Sequence, residues 1–259
     1  MTKQSKDVGF FIGWGETPRI DRRFLLLSSL VLVAAAGVGG ALVASEQTPP
    51  GDGVWNPDDE RDWPGMFVRA PYPMLRTVAL DGTPRTAYLV SSNKQGVQHR
   101  LGSAEEGPVV VRGSLIARGK NAMIAVADGD RWLRGATAAD MQKVGDRLSG
   151  WREQELGAAT YAGEILDSKC WFGAMQPGQG KPHKSCAALC IRGGLPAVFC
   201  PEGLCGSGET APLLTDEEGN AHGPGVLPFV ADAILATGRL IRVGDVTQFR
   251  VALGDIRRR

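Results

Sequence analysis

The chain has 259 residues, of which 43% are hydrophobic and 22% are charged, and this globular composition excludes a largely disordered protein. Lysine and arginine number 29 against 28 aspartates and glutamates, so the formal net charge is +1. A balance this even provides no positive field for a phosphate backbone and argues against a nucleic-acid partner. The 35 glycines and 16 prolines favour short strands and tight turns over a helical bundle.

An uncharged apolar segment at residues 24–44 has the length of a membrane span. As a helix, FLLLSSLVLVAAAGVGGALVA would reach about 30 Å, which is the thickness of a bilayer core. Two arginines precede it and several acidic residues follow it. The positive-inside rule therefore predicts that residues 1–23 lie in the cytoplasm and the bulk of the chain lies outside it. In a bacterium this topology corresponds to an inner-membrane protein whose bulk is periplasmic. A cleaved signal peptide, with Gly39 and Ala41 at the cleavage site, is the alternative, and the segment's length favours the retained anchor.

The regions that flank this segment have distinct compositions. The stub contains the aromatic stretch GFFIGW at residues 9–14, which favours a position in the membrane interface, with docking to a neighbouring membrane subunit as the alternative. Residues 45–64 are rich in proline, glycine and aspartate and predict a linker.

An internal repeat organises the rest of the chain. Residues 109–130, VVVRGSLIARGKNAMIAVADGD, align without a gap to residues 234–255, ILATGRLIRVGDVTQFRVALGD. Each copy predicts a strand, a glycine turn and a second strand, and each follows an earlier strand that opens at Gly65 or at Gly163. The repeat therefore predicts a mainly β protein with two small OB-like β-barrels after the transmembrane helix.

The predicted barrels cover residues 65–135 and 159–259, and a connector helix is predicted between them at residues 136–158. Apolar residues recur there at helical spacing. Thr137 and Asp140 resemble a capping box at the start of that helix.

The second copy is longer than the first because of an insert at about residues 170–205, where all five cysteines lie. Cys186 and Cys190 are four residues apart, so they would share one face of a short helix. His183 would join that face one turn earlier, and Cys170 could approach from the end of the preceding strand.

Three interpretations of this cluster remain open. In the first, an oxidising exterior favours structural disulfides. In the second, three thiolates and an imidazole hold a zinc, copper or iron ion. In the third, one thiol is redox-active because a cation or a helix N-terminus lowers its pKa.

The residues assigned to these interpretations overlap. The disulfide candidates are Cys170, Cys186, Cys190, Cys200 and Cys205. The metal candidates are Cys170, His183, Cys186 and Cys190, with Asp167 behind them as a hydrogen-bond acceptor that orients His183. If Cys200 pairs with Cys205, three cysteines remain beside His183, and one of them must stay free or bind a ligand.

Other titratable residues give weaker signals. His99 is expected in a solvated loop and His222 in a turn from which it could fold back towards the insert. Glu164 alternates with apolar neighbours and is expected to face solvent. The sequence contains no nucleophile elbow, phosphate-binding loop, dinucleotide fingerprint or haem-attachment motif, and this argues against the common catalytic machineries.

The segment GEILDSKCWFGAMQPGQGKPHKSCAALCIRGGLP resembles one in uncharacterised bacterial single-pass membrane proteins, whose aromatic N-terminal stub is similar to GFFIGW. The resemblance spans most of the chain, and its specific part is a DxKC…HxxCxxxC pattern. It implies the same topology and supplies no substrate. The Cys200 and Cys205 pair departs from the pattern. The residues whose importance the resemblance implies are Asp167, Cys170, His183, Cys186 and Cys190.

These observations predict a non-catalytic accessory or structural subunit of a membrane redox or respiratory assembly. Its partners would be the lipid bilayer and other membrane-protein subunits. The alternative function is a metal-binding or electron-transfer module that uses the Cys/His cluster, and the third is a thiol-disulfide oxidoreductase.

Overall fold

A computed structural model of the chain describes residues 19–46, 52–148, 150–204 and 211–259. The aromatic stretch at residues 9–14 and Cys205 lie outside the described residues. The interpretations that depend on them stay predictions.

The N-terminal helix α1 (Arg19–Ser45) confirms that the apolar segment is helical. Its part Asp21–Ser45 has a mean hydropathy of 2.2 and is not buried. A helix of this length and composition can cross a membrane, although a signal sequence near an N-terminus has the same features. Its orientation and its retention stay predictions.

The first barrel is built from five strands whose order follows from their pairing. They are β1 (Val54–Val68), β2 (Met74–Val78), β3 (Pro84–Val90), β4 (Gly107–Arg118) and β5 (Asn121–Val126). The order is β1-β2-β3-β5-β4, and β4 pairs with β1 to close the barrel. Strands β3 and β5 are parallel and the other pairs are antiparallel. A short strand β6 (Leu133–Gly135) extends the sheet beside β4.

The connection between the barrels begins with the predicted capping box. Helix α2 (Ala138–Gln142) has Thr137 as its N-cap, and Thr137 and Asp140 exchange side-chain and backbone hydrogen bonds. The helix is shorter than predicted because Gly145 and Gly150 have φ angles of 54° and 90°, which interrupt a right-handed helix. Only a short 3-10 turn follows before the next strand.

The second barrel repeats the connectivity of the first. Its strands are β7 (Glu153–Asp167), β8 (Ala197–Pro201), β9 (Leu213–Thr215), β10 (Ile234–Val243) and β11 (Val246–Arg250). The order is β11-β9-β8-β7-β10, β10 pairs with β11, and β9 is parallel to β11. Strand β12 (Ile256–Arg258) lies beside β10. The prediction of two OB-like barrels is confirmed, because both sheets close in the OB-fold order.

Both barrels begin earlier in the sequence than predicted. Strand β1 reaches back into the predicted linker, and β7 reaches back into the predicted connector helix. The cause is long-range pairing: Trp63 is opposite Val111 on β4, and Gln154 is opposite Arg242 on β10. Tertiary pairing of this kind overrides the local composition of a segment.

The insert lies at residues 168–196, between the first and second strands of the second barrel. It contains helix α3 (Lys184–Arg192) and ends before β8, so Cys200 is a strand residue and not part of the insert. OB-folds commonly bind ligands with the loop at this position. The connectivity of the barrel therefore places the Cys/His segment in a loop suited to binding.

The insert also packs against the first barrel. Trp171 and Phe172 are almost fully buried, and the Phe172 ring lies 6.2 Å from the ring of Tyr88 on β3, measured between centroids. One hydrophobic cluster contains these three residues together with Leu166 and Val198 from the second barrel. The two barrels and the insert therefore share a continuous core.

The repeated glycines occupy equivalent positions of β4 and β10. A Cβ atom on Gly113 would lie 2.3 Å from the carbonyl oxygen of Ala125, and one on Gly238 would lie 2.1 Å from that of Arg250. No side chain fits at either position, which accounts for glycine in both copies of the repeat.

We expect Gly238→Ala to lower the free energy of unfolding by about 1–3 kcal/mol, because the new methyl group must displace backbone atoms of β11. Gly254→Ala is the matched control, since no atom lies within 4 Å of its Cβ position. Urea unfolding of the full chain in detergent, followed by tryptophan fluorescence, measures both. Equal midpoints for the two variants would contradict the steric explanation.

Candidate metal centre

The structure brings the Cys/His residues of the insert together at the end of β7. The possible ligand atoms of Cys170, His183 and Cys186 lie within 4.8 Å of one another. Those of Asp167, Cys170 and Cys190 do so as well. Cys170 belongs to both groups, so the five side chains form one cluster, which we call the Cys/His centre.

Local structure explains this convergence. Asp167 is the last residue of β7, and Cys170 lies in the first turn after the strand. His183 immediately precedes α3, while Cys186 and Cys190 lie one turn apart on that helix and share a face. The helix ends before Gly193-Gly194, and Gly194 has a φ angle of 91°, which suits glycine after a helix.

Most of the centre is closed to solvent. Asp167, Cys170, His183 and Cys190 are all buried. Cys186 is half-buried and is the member of the centre that solvent reaches. Any exchange with the outside therefore takes place on the side of Cys186.

The Asp167 carboxylate holds two other members of the centre. Its Oδ1 accepts a hydrogen bond from the backbone N–H of Cys170 at 2.8 Å, and its Oδ2 lies 2.9 Å from Nε2 of His183. A carboxylate at that distance favours the tautomer in which Nε2 carries the proton. Nδ1 of His183 is then left with its lone pair, which is the arrangement of metal-binding histidines that a carboxylate orients.

The thiols are also coupled to one another. A hydrogen bond to Cys190, together with burial, raises the pKa of Cys170, and the same hydrogen bond lowers the pKa of Cys190. The Sγ atoms of Cys170 and Cys186 lie 3.8 Å apart. The thiols are thus hydrogen-bonded to one another, and a bound metal cation would displace the protons of these hydrogen bonds.

Two lysines border the centre. Lys94, from the first barrel, donates a hydrogen bond from Nζ to Cys186 Sγ at 2.6 Å, and this bond raises the pKa of Lys94. Lys169 donates three hydrogen bonds of 2.6 to 2.8 Å to the backbone carbonyls of residues 91–93. Burial lowers the pKa of Lys169 to about 8. Both ammonium groups therefore connect the centre to the first barrel.

Neither lysine was predicted from the sequence to lie at the centre. No local pattern connects Lys94 with a cysteine so distant in the chain, and only the tertiary fold brings them together. Lys169 lies between Asp167 and Cys170 in the sequence, where its position beside two candidate residues could have been a signal.

The backbones of the two barrels also meet directly beside the centre. The N–H of Gly96 donates to the carbonyl oxygen of Gly193 at 2.9 Å, and Nε2 of Gln98 donates to that of Gly194 at the same distance. A Cβ atom on Gly193 would lie 2.1 Å from the carbonyl oxygen of Lys94. The contact leaves no space for a side chain at the end of α3.

The remaining candidate residues lie elsewhere. His99 is exposed, as expected, whereas His222 is half-buried beside the backbone of Thr215 and Val251, where burial lowers its pKa. Neither is among the donors that converge. Glu164 differs from the expectation: it accepts a hydrogen bond from the N–H of Gly180 at 2.9 Å because the insert folds back over β7, and burial raises its pKa.

The cysteines divide into two sets. Cys170, Cys186 and Cys190 are free thiols, so no disulfide joins them in the part of the chain that the structure describes. Cys200 is buried on β8 and is not among the free cysteines. Since Cys205 lies outside the described residues, pairing of Cys200 with Cys205 stays a prediction.

Comparison with known protein families, with curated proteins and with solved structures finds no match to this chain. The function of the chain is therefore inferred from the geometry of the Cys/His centre.

We expect selective ¹⁵N-histidine labelling of the full chain in detergent, at alkaline pH, to show His183 as the Nε2–H tautomer. Asp167→Asn should convert it to the Nδ1–H tautomer: the amide oxygen must still accept from the N–H of Cys170, so the amide NH₂ faces Nε2. The signals of His99 and His222 in the same spectra are internal controls. An unchanged His183 tautomer in the variant would show that Asp167 does not orient the ring.

Proposed function

We propose that this chain is a membrane-tethered metal-binding protein whose second barrel holds one thiophilic metal ion between Cys170, His183, Cys186 and Cys190. The observation that carries the proposal is that these donors form two close groups that share Cys170, and that all of them except Cys186 are buried. Buried titratable groups are costly without a partner, and a bound ion would supply one.

The donor set determines the class of ion. Three thiolates and one imidazole match the four-coordinate sites of zinc and the soft-ligand sites of copper and iron. Four protein ligands leave no open position for a substrate, so the site suits structural stabilisation or electron transfer better than hydrolysis. Asp167 acts in this arrangement by fixing the orientation of His183.

The setting of the metal site is part of the proposal. Helix α1 is able to hold the chain in a bilayer, and we propose that the barrels lie on the periplasmic side. There the protein would serve as an accessory subunit of a membrane redox assembly, in keeping with the resemblance of its DxKC…HxxCxxxC segment to bacterial single-pass membrane proteins.

A thiol-disulfide oxidoreductase is the second candidate. It is favoured by one observation: the half-buried Cys186 lies beside the Lys94 ammonium, with the free thiol of Cys170 only 3.8 Å behind it. Two free thiols this close, one of them accessible to solvent, are the reactants that thiol-disulfide exchange requires. Metal binding remains the better proposal because it also uses His183 and Cys190.

We expect elemental analysis of the full chain, purified from membranes in detergent, to give one zinc, copper or iron ion per chain. His183→Ala and Cys186→Ser should lose most of this metal, because each removes one of four ligands. His99→Ala, at an exposed histidine, should retain it. Circular dichroism of each variant verifies that the barrels are folded.

A free-thiol count on the same samples separates the two candidates. Wild-type protein without metal, whose thiol count falls by two on mild oxidation and recovers on reduction, would contradict metal binding and support thiol-disulfide exchange. Retention of full metal content in both His183→Ala and Cys186→Ser would exclude this ligand set.

A further inference from the structure

We propose that the metal ion enters and leaves on the Cys186 side of the centre, that Met175 is its outermost donor there, and that the ion is a soft monovalent cation of the Cu⁺ type. The inference depends on the proposed function and adds to it a route, a further residue and an ion class.

Solvent exposure defines the route. The other members of the centre are buried, whereas Cys186 is half-buried. Met175 is 44% exposed, and its Sδ lies 3.9 Å from Cys186 Sγ. An incoming ion can therefore contact the thioether in solvent, then Cys186, and then the buried Cys170, whose Sγ is 3.8 Å further on.

The chemistry of Met175 restricts the ion. A thioether is a neutral, soft donor that binds Cu⁺ well and divalent ions with a preference for oxygen or nitrogen poorly. A thioether beside an accessible thiolate is therefore useful for a soft ion and offers little to a harder one.

The lysines offset part of the electrostatic advantage that three thiolates give to a divalent ion. Lys94 donates to Cys186 on the proposed route, and Lys169 lies next to Cys170 in the sequence, with its ammonium bound to the carbonyls of residues 91–93. Coulomb repulsion is proportional to the charge of the incoming ion, so each ammonium opposes a divalent cation twice as strongly as a monovalent one.

The test of the route compares Ag⁺, a redox-inert monovalent soft ion, with Co²⁺, whose thiolate complexes absorb in the visible and near ultraviolet. In the full chain in detergent, Met175→Leu should slow both uptake of Ag⁺ and its release to a competing thiol by about fivefold or more, because the intermediate soft donor is lost. The Ag⁺ stoichiometry and the rate of Co²⁺ uptake should be unchanged. Met141→Leu, at a half-buried methionine on α2, is the matched control.

The test of the charge effect is competition between Ag⁺ and Co²⁺ in Lys94→Gln, which removes the charge without adding a sulfur donor. Loss of the ammonium should shift the relative affinity towards Co²⁺ by about tenfold or more. Lys94→Arg, which keeps the charge, should behave as wild type.

Each contrary outcome has a distinct meaning. Unchanged Ag⁺ kinetics in Met175→Leu, or equal slowing of Ag⁺ and Co²⁺, would overturn the role of Met175. An unchanged ion preference in Lys94→Gln would overturn the charge argument. A wild-type chain that binds Co²⁺ but no Ag⁺ would overturn this inference alone, whereas a chain that binds neither ion would overturn the proposed function itself.

Discussion

The buried carboxylate of Asp167 is the contact on which the geometry of the Cys/His centre depends. It ends β7, accepts from the backbone of Cys170 and pairs with the ring of His183, so it joins the strand to both sides of the insert. A fully buried carboxylate requires such partners, because an unpaired one would pay a large desolvation penalty. The second barrel thereby fixes the positions of Cys170 and His183, and helix α3 places Cys186 and Cys190 beside them.

The centre is also a junction between the barrels. Its proposed ligands all come from the insert of the second barrel, whereas residues 91–98 of the first barrel form several of the hydrogen bonds that support the insert. Lys169 of the insert donates to backbone carbonyls of the first barrel, and Lys94 of the first barrel donates to the thiol of Cys186 in the insert. The shared hydrophobic core beside them makes the junction continuous with the interior of the protein.

Sequence patterns predicted the features that depend on local or repeated signals. The two barrels followed from the gapless repeat, and the α3 face that carries Cys186 and Cys190 followed from their spacing. The early starts of β1 and β7 could not be predicted, because those segments become strands only by pairing with β4 and β10. Lys94 and Met175 were missed for a similar reason: each comes near Cys186 only when the insert folds onto itself and onto the first barrel.

The backbone contact between Gly96 and Gly193 has a consequence for the role of the first barrel. Both barrels have the same strand order, but the proposed ligands lie only in the insert of the second barrel. The first barrel provides the surface against which that insert packs, and at Gly96 and Gly193 there is no space for a side chain between the two. A side chain introduced at Gly96 would therefore disturb the centre although Gly96 is not one of its proposed ligands. The first barrel is therefore part of the scaffold of the centre, although it contributes none of the proposed ligands.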